Sequence, residues 1–136
     1  MIVGIMLTLL ILSVFTFAFN VQPVKASGTI YIRANGSIDP LGAPISTIDN
    51  VTYTFTGNIN DSIVIERSNI TINGNGYTLQ GSGSGTGFYW FVSNVTIKNT
   101  NIKNFSYGVY IRSSSFNTVS GNTITNNGHG VHLYLS

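Results

Sequence analysis

The second half of the chain repeats itself, and that repeat limits the fold more than any other property. Thr96-Ile97, Ile102, Asn104, Gly108-Val109 and Ile111 recur as Thr118-Val119, Ile124, Asn126, Gly130-Val131 and Leu133, each 22 residues later and without a gap. A fixed period of this size marks a solenoid, in which one repeat buries its apolar face only by stacking on a neighbour. Within a period the apolar residues come in short beats: Val95 and Ile97, then Ile102, then Val109 and Ile111. Asn, Ser, Thr, Lys and Gly separate them. Such alternation sends successive side chains to opposite faces, which is strand geometry, and no helical spacing of apolar residues follows the leader. Three strand beats per turn predict an all-β fold, a parallel β-helix with coils stacked about 4.8 Å apart. Asn and Gly suit its bends because they tolerate left-handed backbone angles.

Composition agrees with a solenoid and excludes several functions. Charged residues are 7% of the 136, against about 25% in ordinary soluble domains. Only the regular Ile and Val beats keep so polar and uncharged a chain from reading as disordered. The net charge of +2, part of it from Lys25, offers no clustered basic face for nucleic acid. Cysteine is absent, so disulfides and thiolate metal sites are excluded.

Met1 to Phe19 is apolar or small throughout and carries no charge. Residues 1–26 are expected to be either a signal peptide, cleaved after Val24-Lys25-Ala26, or an N-terminal membrane anchor. Both imply export, to the cell surface or the medium, with membrane contact only through residues 1–19 if they are retained. Residues 27–62 are expected to supply an N-terminal cap and the first strands, including Thr29 to Arg33, Val51 to Phe55 and Ile59 to Ile65. Residues 63–136 hold the coils, roughly 63–86, 87–107 and 108–129 and the start of a fourth. Asn69-Ile70-Thr71-Ile72 answers Asn94-Val95-Thr96-Ile97 at an offset of 25, with the extra residues assigned to the loop Gly81 to Gly87. Because the fourth coil holds one beat, Gly130 to Leu133, the sequence is expected to be a fragment of a longer solenoid.

Asn69-Ile70-Thr71-Ile72-Asn73-Gly74-Asn75-Gly76-Tyr77-Thr78-Leu79-Gln80-Gly81 resembles the opening coil of right-handed parallel β-helix proteins of the NosD-like and pectate-lyase-like group. Gly108-Val109-Tyr110-Ile111 and Asn122-Thr123-Ile124-Thr125-Asn126-Asn127 are similar to the group's later repeats, and Gly28 to Arg67 looks like the lead-in of exported archaeal members. The resemblance implies a right-handed coil. It is specific for fold and weak for activity, because this fold hosts lyases, hydrolases, epimerases, adhesins and scaffolds.

Chemistry is hard to place on these residues. Glycoside hydrolysis needs two carboxylates close together. Asp39, Asp49, Asp61 and Glu66 all precede the complete coils, and Arg67 to Ser136 contains no Asp or Glu. Asp61 and Glu66 could share one rim of the first coil, though turn and surface roles account for both. His129 and His132 raise a copper site, but one coil earlier their counterparts are Tyr107 and Tyr110, which are poor copper ligands. No metal and no cofactor are expected.

The outward column offers more. With Val109 and Ile111 inside, Tyr110 points out, above Tyr89 and below His132. Together with Arg112, and with Lys98 and Lys103 expected alongside, these residues form a strip on which sugar rings could rest; the alternative is a ladder of rings stacking only on each other. N-x-Ser/Thr sequons begin at Asn35, Asn50, Asn60, Asn69, Asn94 and Asn104. The expected function is an exported scaffold or a module recognising polysaccharide or surface glycoprotein, without catalysis in this portion. Two rivals remain: the N-terminal part of a polysaccharide lyase, hydrolase or epimerase with its active site in further coils, or a NosD-like maturation factor for an exported copper enzyme.

Overall fold

The computed structural model describes residues 28–136, so the expected signal or anchor lies outside the described residues. Among these residues every regular element is a strand. The first coil opens with β1 (Ile30–Ile32), passes through β2 (Ile38–Asp39) and β3 (Ile45–Ser46), and continues with β4 (Thr52–Phe55). Next come β5 (Ile63–Ile65), β6 (Ile70–Asn73) and β7 (Thr78–Gln80), and above them β8 (Thr86–Trp90), β9 (Val95–Lys98) and β10 (Asn101–Lys103). The last complete coil has β11 (Tyr107–Arg112), β12 (Thr118–Ser120) and β13 (Thr123–Thr125), and β14 (His129–Tyr134) follows. Three sheets run up the stack: β2-β1-β5-β8-β11-β14, β3-β4-β6-β9-β12 and β7-β10-β13. Pairing from coil to coil is parallel throughout, and the coil is right-handed.

The expected superposition of Val109 and Val131 is realised, since the two are register partners between β11 and β14. Each sheet sends alternate side chains inward. Ile63, Phe88 and Val109 form one column; Ile72 and Ile97 form another; Leu79 and Ile102 a third. All seven are fully buried. The core is not wholly aliphatic, because Tyr53, Phe55, Phe88 and Trp90 also lie inside at 0% exposure. Their polar atoms are provided for. The Tyr53 hydroxyl donates to the Gly36 carbonyl at 2.8 Å, and Trp90 Nε1 donates to Asn117 Oδ1 at 3.1 Å.

Residues 28–62 do more than cover an end. β1 lies parallel under β5, β4 under β6, and Ile59 bridges to Leu79, so this segment reaches all three sheets. The strand expected from Ile59 to Ile65 is broken: Asn60-Asp61-Ser62 turns a corner and moves Ile63–Ile65 to another sheet. The antiparallel two-residue strands β2 and β3 form the lower edges of two sheets. Edges this short give other chains little to pair with.

The longer lower coil is also distributed differently from the sequence expectation. Nine positions separate Leu79 from Phe88 but seven separate their partners Ile102 and Val109, so the loop before β8 takes up only two residues. Another two sit in the turn before β7, where Ile72 to Leu79 spans seven positions and Ile97 to Ile102 spans five. The corner before β9 gives one back, with nine positions from Phe88 to Ile97 against ten from Val109 to Val119. The surplus is divided because Asn75 and Gly76, both at positive φ, form a tight turn that projects outward without moving either strand.

Asparagine does two jobs at the corners. Asn50, Asn69 and Asn94 lie two positions before the register partners Thr52, Thr71 and Thr96, at φ of 55°, 60° and 59°. Asn94 Nδ2 donates to Asn69 Oδ1 at 2.8 Å. The other job is bridging. Asn117, Asn122 and Asn127 each accept, on Oδ1, the backbone N–H of the residue 22 positions earlier: Val95, Thr100 and Phe105. Asn122 and Asn127 also donate Nδ2 to the carbonyls of Ile97 and Ile102. Every corner of one coil is thus tied down by the coil above it.

Candidate functional site

The outer face of the sheet containing β8, β11 and β14 carries the aromatic strip, and a glycine column shapes it. Gly108 sits over Gly87 and under Gly130, just before the inward positions Phe88, Val109 and Val131. A Cβ on Gly87 would lie 2.5 Å from the Gly108 carbonyl, and one on Gly108 would lie 2.7 Å from that of Gly130. Only glycine allows so close an approach of backbones. Gly108 and Val109 are therefore both buried, and Tyr107 and Tyr110, three positions apart, both face outward.

Two adjoining ring columns result. Tyr89, Tyr110 and His132 are register partners, as expected, with centroids 5.7 Å apart between the tyrosines and 4.9 Å from Tyr110 to His132. The second column has Tyr107 stacked on His129 at 4.9 Å and an interplanar angle of 13°. The columns touch, Tyr107 meeting Tyr110 edge-on at 5.3 Å and His132 at 5.2 Å, while Phe91 lies 6.2 Å from Tyr89. Most of these rings are half-buried, with His129 and Phe91 more open. Tyr107, His129 and Phe91 join the predicted residues. Alternation from Tyr89 through the buried Trp90 places Phe91 outward, whereas strand alternation does not put Tyr107 and His129 on this face.

Arg112 lies on the same face, its guanidinium 5.8 Å from the Tyr134 ring centroid. Lys98 and Lys103 do not flank the strip: Lys98 is in β9 and Lys103 in β10, on the other two sheets. Alternation within strands cannot show which sheet a lysine belongs to; the corner positions decide it.

The carboxylates lie lower in the stack than the tyrosine and imidazole columns. Arg33 pairs with Asp39 and also with Glu66, the latter at 3.1 Å, and lies 4.1 Å from the Tyr31 ring centroid. The hydrogen bond to Asp39 holds the Arg33 guanidinium above its usual range. Asp61 and Glu66 sit at opposite ends of β5, not on one rim. Asp61 borders a polar cleft with Asn60, Ser62, Ser82 and Ser84. Asp49 accepts from the backbone N–H groups of Thr52 and Val51, which hold its carboxyl below the usual carboxylate range. His129 and His132 stand 5.8 Å apart between ring centroids, and among the described residues no group of three His, Asp or Glu gathers around them. Of the sequon asparagines, Asn35, Asn50, Asn60, Asn69 and Asn94 are exposed and Asn104 is half-buried.

A right-handed coil of parallel strands with a polar, ring-bearing outer face defines a β-helix repeat protein. The chain belongs to the family described as "Right handed beta helix region", whose family model matches residues 16–136. No curated protein and no solved structure matches it.

Proposed function

We propose that this chain is an exported β-helix module, secreted or displayed at the cell surface, that recognises polysaccharide through the ring face of β8, β11 and β14. One observation carries the reading: Tyr89, Tyr110 and His132 stand one above another, beside a second column of Tyr107 and His129. Stacked rungs repeat about every 4.8 Å, so a sugar chain laid along the stack meets a ring at each rung. Aromatic faces hold apolar sugar faces while phenol hydroxyls remain free to hydrogen-bond. The module acts by binding, and residues 28–136 carry out no catalytic step. The lyase-like and copper-enzyme-maturation readings rest on family resemblance alone.

A glycan array probed with the full chain tests this. Tyr89→Ala combined with Tyr110→Ala is expected to weaken retention about tenfold or more while circular dichroism stays unchanged. Undiminished retention by that variant would remove the ring face from the function. Sequencing the N-terminus of protein recovered from the medium or membrane tests export, a mature start at Ser27 marking cleavage.

A further inference from the structure

The ring face carries a charge pattern that narrows the ligand. Its two imidazoles lie on phenol rings, His129 on Tyr107 at 13° and His132 on Tyr110 at 27°, each at 4.9 Å between centroids. Imidazole is the one ordinary side chain that changes charge between about pH 5 and 8. A protonated imidazole over a phenol face is a cation–π pair, so charging these rings keeps the stacks on which a sugar would rest.

The remaining charges on the face are few. From β8 comes Tyr89, with Phe91 just after its end, neither of them charged; from β11 come Tyr107, Tyr110 and the cationic Arg112; from β14 come the imidazoles and Tyr134. Of the carboxylates low on this sheet, Asp39 and Glu66 are both engaged by Arg33, while Asp61, just before β5, borders the polar cleft with Ser62, Ser82 and Ser84. Glu66 follows Ile65, the partner of Trp90, and so lies a rung below Phe91. Neither Asp nor Glu occurs from Arg67 to Ser136. Arg112 forms no carboxylate pair among the described residues. The face therefore carries one standing positive charge, Arg112, and two imidazoles able to take a proton, with no carboxylate in β8, β11 or β14.

We propose that this face takes an anionic glycan, one bearing carboxylate or sulfate groups along its chain, and holds it more tightly when His129 and His132 are protonated. The proposal rests on the reading of the ring face as a glycan site. Sugar rings lie on the tyrosine columns, and acid groups project to Arg112 on one side and to the imidazoles above. A neutral glycan uses the same rings without the charges and shows no pH dependence.

Binding of the full chain to dextran, dextran sulfate and carboxymethyl dextran, at about pH 5.5 and about pH 8 and constant ionic strength, tests the proposal. Both anionic polymers are expected to bind about fivefold or more tightly at the lower pH, with dextran unaffected. The double variant His129→Gln with His132→Gln should bind the anionic polymers at the lower pH as the parent does at the higher. Arg112→Gln should weaken them at both. Lys98→Gln with Lys103→Gln, on the other sheets, should change nothing. Binding by the parent that ignores pH, pH dependence that survives in the histidine variant, or its loss in the lysine variant overturns the proposal. Should the histidine variant fail to fold, NMR titration of the parent's imidazoles replaces it. Dextran sulfate must then move their midpoints upward by linkage, and unmoved midpoints overturn the proposal. If none of the polymers binds at either pH, the glycan reading falls as well; if dextran binds as well as the others through Tyr110, only the charge preference falls.

Discussion

Phe116 stands where the lower coils have asparagine. It lies two positions before Thr118, as Asn50, Asn69 and Asn94 lie before their own threonines, and it shares their left-handed backbone at φ 59°. A side chain other than asparagine or glycine costs about 1–2 kcal/mol there, and Phe116 gains little in return at 87% exposure. Phe116→Asn should therefore stabilise the protein by about 1 kcal/mol, read as a raised denaturant midpoint, and would let the amide ladder continue above Asn94. Asp49 is a different case, since its carboxyl is held low by the amides of Thr52 and Val51. A lowered folded value means its contribution is complete above the unfolded value of about 3.9 and fades as pH falls through the folded one. Asp49→Asn should lower the melting temperature at neutral pH, and the melting temperatures of D49N and the parent should converge in strong acid.

Strands of this fold are placed by what lies between them, and there sequence and structure part company. The inward rows through Val109, Ile97 and Ile102 were legible, because period and alternation together assign them. So was the column of Tyr89, Tyr110 and His132. Tyr107 and His129 were not, since three positions from Tyr107 to Tyr110 would put them on opposite faces of a regular strand. The glycine column changes that count, and it becomes visible only when backbones are seen to approach closely. Gly108→Ala should accordingly cost about 1–3 kcal/mol in chemical unfolding and weaken glycan retention, because its Cβ meets the Gly130 carbonyl. The asparagines show a second limit. Composition marks Asn94 and Asn117 alike as corner residues, yet one adopts a left-handed backbone while the other ties two coils together. The sheet membership of Lys98 and Lys103 was lost for a related reason, because corners rather than strands determine it.

Through the molecule as a whole, burial is graded along the stack. Ile65, Ile72, Trp90 and Ile97 are fully buried, whereas no residue of β12, β13 or β14 is. In a solenoid each coil depends on its neighbours, so local opening follows this gradient. Hydrogen exchange should be slowest at the amides of β5, β6, β8 and β9 and fastest in β12 to β14; uniform protection would mean that the stack opens as a single unit. The asparagine bridges add an order of assembly. Asn117, Asn122 and Asn127 complete the turns at Val95, Thr100 and Phe105, so those turns stay unfinished until about a coil more of chain has emerged. A polypeptide appearing N-terminus first would be latched one storey at a time, each new floor locking the one beneath, with little reason for the growing end to pair with anything except its own next turn.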